Sequence, residues 1–316
     1  MRILVTGANG FLGRALVGHL SQDVRIEVRA ASRSAPAFPP QVRHYVAPSL
    51  SLQADWQVAL DGVSVVVHAA ARVHVMNDAA DDPLAEFRKA NVDGTVSLAR
   101  QAAAAGVRRF IFISSIKVNG EGTEPEQPFR AGDTPDPQDP YGVSKVEAEQ
   151  ALRVVASETG MEVVIIRPVL VYGPGVKANF RSMMSWLSKG VPLPLGATGN
   201  KRSLVALDNL VDLIVTCIDH PAAANQTFLV SDGEDLSTTQ LLQRMGNALG
   251  RPARLLPIPA SMLYAAAAML GRRAVAQRLC GSLQVDIAKT RELLGWTPPV
   301  SVDDALLRTA RAFAAD

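Results

Sequence analysis

Tyr141 and Lys145 stand four residues apart in the segment DPYGVSKVEAEQ, a spacing that stacks two side chains on one face of a helix. A phenol beside an ammonium ion is a proton donor and acceptor, because the positive charge favours the phenolate. At an effective dielectric near 20, one charge about 4 Å away is worth up to roughly 4 kcal/mol, or about three pKa units before screening. The spacing therefore predicts a tyrosine whose pKa is pulled down towards neutrality. Such a group serves oxidation or reduction at a carbinol carbon, where a proton must leave or join the oxygen. An exposed helix pair explains Tyr-x-x-x-Lys alone just as well, so the reading needs a second motif.

That motif opens the chain. In TGANGFLG, residues 6 to 13, Gly7, Gly10 and Gly13 follow an apolar strand and lead into a helix. Missing side chains at such a turn let a pyrophosphate approach backbone N–H groups at the positive helix end. The spacing differs from the commoner G-x-G-x-x-G. An acid at the end of the second strand would favour a free ribose 2′-hydroxyl, but residues 29 to 33 read RAASR. Ser32 and Arg33 there suit a 2′-phosphate, so NADP(H) is the preferred cofactor and NAD(H) the alternative. Ser114 and Ser115 end the apolar run Phe110 to Ile113, at the edge where a sheet of this kind presents its ligand. Ser115 is then placed to hydrogen-bond the oxygen that Tyr141 protonates or deprotonates.

The elements that must position these groups are legible as apolar runs. Ile3 to Val5, Ile26 to Ala30, Val63 to Val67, Phe110 to Ile113 and Val163 to Ile166 read as buried strands, with amphipathic helical segments between most of them. This alternation predicts an α/β fold with a doubly wound parallel sheet of Rossmann type and a ligand site at the strands' carboxyl ends. After Arg167, Pro168, Gly173, Pro174, Gly175, Pro192, Pro194, Gly196 and Gly199 break the rhythm. Residues 1–168 and about 208–232 are expected to form the dinucleotide domain. A smaller substrate domain takes about 169–207 and 233–316.

The composition narrows the partners. With 32 basic and 30 acidic residues and a formal net charge of +2, the chain has no broad field for nucleic acid. Cys217 and Cys280 are too few for a disulfide framework or a zinc site. His68 and His74 lack a carboxylate or cysteine at ligand spacing, so no metal is expected. MRILVTG reads as a strand entering a turn rather than as a secretory leader, and a cytoplasmic location is expected. Met262 to Leu270 is too short to span a bilayer. It reads as a buried helix, and no membrane partner is expected. Arg108 and Arg109, ahead of a strand, read as a solvated turn. Asp139 reads as the cap of the Tyr141 helix.

TGANGFLG (6–13), HAAA (68–71), NVDGT (91–95), SSIKVNG (114–120), YGVSK (141–145), RPVLVYGPG (167–175) and LLGWTP (293–298) together resemble the extended short-chain dehydrogenase/reductase family. The likeness is to its nucleotide-sugar epimerases, dehydratases and reductases, and it runs along almost the whole chain. It implies that Ser115, Tyr141 and Lys145 form the catalytic group. Gly7, Asn9, Gly10, Phe11, Leu12, Gly13, Ser32, Arg33, Ala69, Ala70, Ala71, Asn91, Pro168 and Val171 would hold the dinucleotide, together with Tyr141 and Lys145. Asn179 and Arg202 match positions that hold the nucleotide diphosphate of a UDP-sugar substrate, beside Ser115 and Tyr141. The chain departs from its relatives at Ser49, where many have an aspartate near the adenine, and at Asn119, where many have a tyrosine.

RVHVMND (72–78) and VNGEG (118–122) look like a branch associated with UDP-4-keto-6-deoxy-N-acetylhexosamine reduction in bacterial surface-polysaccharide (O-antigen) synthesis. The leading expectation is thus an NADPH-dependent reductase acting at C4. The alternative is a UDP-glucose or UDP-N-acetylglucosamine 4-epimerase with retained NAD, and a non-catalytic NADPH-binding regulator comes third. Dehydration is disfavoured, because Ile116 and Lys117 after Ser115 offer no acidic pair. Many relatives pair through the tyrosine-bearing helix and the helix before it, so a homodimer is expected. The alanines from Ala99 to Ala105 fit either that interface or the core.

Overall fold

The computed structural model describes residues 1–34, 38–73, 82–124 and 126–315, so His74 to Asp78 of the RVHVMND segment lie outside the described residues. The strands in chain order are β1 Arg2–Thr6, β2 Glu27–Ser32, β3 Arg43–Val46, β4 Val65–His68, β5 Arg109–Ile113, β6 Glu162–Pro168, β7 Leu170–Tyr172, β8 Arg202–Ala206, β9 Thr227–Val230 and β10 Asp235–Leu236. Seven of these form one parallel sheet in the order β3-β2-β1-β4-β5-β6-β9. The order reverses between β1 and β4, and in a doubly wound sheet the crevice at that reversal is the ligand site.

Alternation along the strands builds a core on both faces. Ile3, Val5, Val65, Val67, Ile111, Val164 and Ile166 point to one side, where the helices Phe11–Leu20 and Leu207–Asp219 cover them. Leu4, Val66, Phe110, Phe112, Val163 and Ile165 point to the other, under the helices Gly94–Ala104 and Pro140–Thr159. Strands buried on both faces must be apolar at successive positions, and that made them readable as continuous runs. Fully burying each such side chain contributes about 1.5–3 kcal/mol.

Beyond β6 the chain leaves the large sheet. β8 pairs parallel with β7 and antiparallel with β10 in a separate three-stranded sheet. A third cluster, including Tyr172, Phe180, Met184, Leu204, Leu236, Leu242 and Leu306, packs around it. Between these strands the chain returns to the large sheet through the Leu207–Asp219 helix and β9.

Two expectations fail here. Arg109 is not a solvated turn residue but is 1% exposed. Its Nη1 donates to the carbonyls of Cys217 (2.6 Å), Ile218 (3.1 Å) and His220 (3.0 Å), and its Nε to Glu162 (2.7 Å). A cation at the last carbonyls of the Leu207–Asp219 helix satisfies groups that the helix cannot pair itself. Nor is the Met262–Leu270 stretch buried: the helix Ala260–Met269 has no buried residue. Apolar composition suggested a core helix, but only Leu263 of this helix packs against the third cluster.

Candidate active site

The strand-to-helix turn after β1 is shaped by close backbone approach. Gly7 has φ +66°, and a Cβ there would lie 2.7 Å from the backbone N of Ala70. A Cβ on Gly13 would lie 2.2 Å from the carbonyl oxygen of Gly7, so neither site admits a side chain without moving main chain. Gly10 caps the helix Phe11–Leu20 without a side-chain hydrogen bond. The first-turn N–H groups, those of Phe11 and Leu12 among them, have no side-chain acceptor and suit an anion. Asn9 shapes the turn: its Nδ2 donates to Ser34 Oγ (2.9 Å) and its Oδ1 accepts from Arg14 Nε (2.7 Å). Ala69, Ala70 and Ala71 lie half-buried alongside. These features fit the pyrophosphate of a dinucleotide.

At the end of β2 the two residues assigned to a 2′-phosphate differ. Ser32 is buried, and its hydroxyl contacts Ser34 O (2.6 Å) and His44 Nε2 (3.1 Å). Arg33 is exposed. Asn91 is 1% exposed, in a π-helical turn at Lys89–Asp93. Its Oδ1 accepts from Arg72 N (2.8 Å) while its Nδ2 donates to Arg72 O (3.0 Å) and Ser144 Oγ (3.0 Å). All its polar atoms are engaged, so it ties the loop after β4 to the tyrosine helix.

The three residues expected to be catalytic meet where β5 ends. Asp139 caps the Pro140–Thr159 helix by accepting from Gly142 N (2.7 Å), and it pairs with Lys117. Tyr141 and Lys145 share a face of that helix. Ser115 follows β5, its Oγ accepting from Lys117 N (3.3 Å), and it hydrogen-bonds Tyr141. The Lys145 Nζ donates to Ile113 O (2.9 Å) and lies 4.4 Å from the Phe112 ring centroid and 5.8 Å from that of Tyr141. Sequence spacing thus placed three side chains that the fold brings together.

Their electrostatics correct the expectation. The Tyr141 pKa is not pulled down: burial first, then the Asp139 charge, pushes it up to about 12, opposed by the Ser115 hydrogen bond. Lys145, 2% exposed, is itself pushed down to about 7 by burial, partly offset by the Glu149 carboxylate. In the protein alone, desolvation outweighs the mutual effect of the two groups. An ammonium half-populated at neutral pH is a weak perturber.

A buried polar network beneath this pair was not foreseen. Glu149, 1% exposed, lies one helical turn beyond Lys145 and forms a bidentate pair with Arg167, through Nε–Oε1 (2.8 Å) and Nη2–Oε2 (2.6 Å). Ser114 Oγ donates to Glu149 Oε1 (2.6 Å), and Arg167 Nη1 donates to Asn119 Oδ1 (2.9 Å). Asn119, the departure noted in the sequence, therefore anchors Arg167. The available signal was the i, i+4, i+8 series Tyr141, Lys145, Glu149 on one face. Nothing in the sequence pointed to its partner on β6.

His68 is fully buried between Thr6 Oγ1 (2.7 Å) and Thr95 Oγ1 (3.0 Å), and burial, aided by the Lys145 charge, holds its pKa at about 3. It is a neutral hydrogen-bonding core residue, and no metal-holding cluster occurs among the described residues. Pro168 ends β6 buried, and Val171 lies half-buried in β7. Asn179 is exposed in the first turn of the helix Ala178–Ser188. Arg202 opens β8, and its Nη1 donates to Arg278 O and Gly281 O, both at 3.1 Å. Burial lowers its pKa.

A parallel sheet reversing at β1/β4, a glycine turn at that crevice and a Ser–Tyr–Lys group with its lysine buried and the other two half-buried define a Rossmann-type enzyme of dinucleotide-dependent chemistry. The chain belongs to the NAD dependent epimerase/dehydratase family, whose profile matches residues 3–231. It is 50% identical over 312 residues to a UDP-glucose 4-epimerase of Vibrio cholerae, covering 98% of this chain and 95% of that protein. In fold it is similar to a UDP-glucuronic acid 4-epimerase from Bacillus cereus in complex with NAD, with a TM-score of 0.80 at 20% identity over 100% of this chain and 99% of that one. It is also similar to a UDP-glucose 4-epimerase with UDP-glucose from Thermotoga maritima, with a TM-score of 0.78 at 23% identity and the same coverage.

Proposed function

We propose that this protein is a 4-epimerase of UDP-hexoses, UDP-glucose or UDP-N-acetylglucosamine, working with retained NAD. The similarity to the Vibrio cholerae UDP-glucose 4-epimerase along almost the whole chain carries this reading and favours it over the C4 reductase. The tilt towards NADPH rested on Ser32 and Arg33. With the Ser32 hydroxyl turned to Ser34 and His44, only the exposed Arg33 still argues for a 2′-phosphate. Dehydration stays disfavoured: Ile116 is buried, and Lys117 is engaged by Glu121 and Asp139.

Bound, the dinucleotide supplies a hydride acceptor that can return what it takes. In its phenolate form Tyr141 takes the proton from the C4 hydroxyl as the carbonyl forms, and it gives the proton back to the same oxygen once the sugar has turned its other face to the cofactor. Ser115 orients that oxygen through the hydrogen bond it shares with Tyr141. Lys145, held by Ile113 O, keeps positive charge beside the phenol in its ammonium form. Asn179 and Arg202 are proposed to meet the diphosphate, a task that suits a guanidinium. Residues 1–168 and about 208–232 would hold the cofactor, and about 169–207 and 233–316 the nucleotide sugar. A homodimer through the outer faces of the Gly94–Ala104 and Pro140–Thr159 helices belongs to the same reading. Ala99 and Ala102 lie in the core and take no part in it; a monomer by light scattering at micromolar concentration would remove the dimer.

The test is incubation with UDP-glucose and with UDP-N-acetylglucosamine without added cofactor. The galacto epimer should form over many turnovers at flat absorbance at 340 nm, and denatured protein should release NAD rather than NADP. One NADPH oxidised per UDP-4-keto-6-deoxy-N-acetylhexosamine reduced, with no epimer from either ordinary sugar, would restore the reductase.

A further inference from the structure

Residues 237–285 hold six arginines and no aspartate, glutamate or lysine. The formal charge of the whole chain is only +2, so the remainder carries a net −4. Arg244 is paired with Glu234. Arg251, Arg254, Arg272, Arg273 and Arg278 are exposed and make no ion pair among the described residues.

In the middle of this basic stretch lies the unburied helix Ala260–Met269, closed by Gly271 and followed at once by Arg272 and Arg273. At 3.6 residues per turn, Met262, Ala266, Met269 and the following Leu270 fall on one stripe. Met262 is 60%, Met269 83% and Leu270 73% exposed, while Leu263, at the edge of that stripe next to Leu270, packs against the third core cluster. The helix therefore turns apolar side chains outward as well as inward. Exposed Leu256 before it and exposed Val275 on the packed helix Arg273–Cys280 add to the apolar surface.

We propose that this face docks on the surface of a bilayer carrying anionic headgroups. The Met262–Leu270 stripe enters the acyl boundary, and the flanking arginines meet lipid phosphates. Ten residues span only about 15 Å, so such a helix lies in the interface plane and does not cross it. No helix among the described residues is long and apolar enough to cross. A second copy fits worse, because a two-fold contact on this face would bring its unpaired arginines against their own kind. Nucleic acid would take the arginines and leave the apolar stripe in water. This assigns a membrane partner where composition alone gave none.

Vesicle flotation of the full-length protein as purified tests the idea, using phosphatidylcholine alone or with one third phosphatidylglycerol, at 50 and 500 mM NaCl. The protein should float with the anionic vesicles at low salt and lose at least about tenfold in binding on neutral vesicles or at high salt. M269D/L270D and R272Q/R273Q should each lose about tenfold or more while keeping wild-type turnover of a soluble UDP-sugar and wild-type circular dichroism. No flotation with anionic vesicles at 50 mM NaCl overturns the proposal, as does binding unchanged in both variants. So does sedimentation velocity in which M269D/L270D turns a wild-type dimer into a monomer, since a second copy would then cover the helix. The assay needs no catalysis, so its failure leaves the epimerase reading standing.

Discussion

The buried network beneath Tyr141 and the segment 237–285 handle charge in opposite ways. Under Tyr141, Glu149 and Arg167 are 1–2% exposed, and each oxygen of the carboxylate has partners at 2.6–3.1 Å. In the distal segment five arginines stand in solvent beside exposed methionine and leucine. Buried charge survives only where every partner is fixed, and such a network orients neighbouring groups. Exposed charge beside apolar surface adds little to folding, so its value lies in what it can meet. The first region is organised for chemistry within the chain and the second for contact beyond it.

The largest expected effect is at the proton carrier. Tyr141→Phe keeps the ring against Phe87 but removes the hydroxyl. Turnover should fall by about 10²–10⁴-fold while NAD remains bound, read from epimerisation rate and from nucleotide released on denaturation. Wild-type turnover in this variant would dissolve the catalytic assignment.

Next comes the network itself. Glu149→Gln leaves Arg167 buried without its counter-charge and should cost about 3–5 kcal/mol in urea unfolding. Glu149→Leu with Arg167→Met should recover much of that loss. A change within about 0.5 kcal/mol for Glu149→Gln, the range expected of exposed arginines such as Arg272, would erase the distinction between the two regions.

The last effect is a slope. The folded Lys145 pKa, about 7, lies below its ordinary 10.5. Between those values the unfolded chain binds the extra proton, so this residue makes stability rise with pH from about 7 to 10 and weakens the fold below that window. Lys145→Met should flatten the rise in cofactor-free protein, measured by thermal unfolding across that range. An unchanged slope would mean that Lys145 is hydrated and the pocket less dry than its burial indicates.

Much of this was written in local pattern. Continuous Val and Ile runs announced the strands because both faces of a parallel sheet are covered, and β1, β2, β4, β5 and β6 fall within two residues of those runs. Ser115, Tyr141 and Lys145 were legible because helix periodicity and the end of an apolar strand fix where side chains can go. Asn91 was assigned to the cofactor from its motif, yet its amide joins Arg72 and Ser144. The Met262–Leu270 helix was misplaced because composition states how apolar a segment is but not what remains to cover it.

The sequence by itself determined the sheet, the glycine turn and the meeting of Ser115, Tyr141 and Lys145, since these depend on spacings of a few residues and on backbone sterics. Only the tertiary structure decided the Glu149–Arg167 pair, the burial of Arg109, the raised Tyr141 pKa and the exposure of the arginine-flanked helix. Each depends on which distant segments exclude water, and desolvation is a property of the packed chain rather than of any stretch of it.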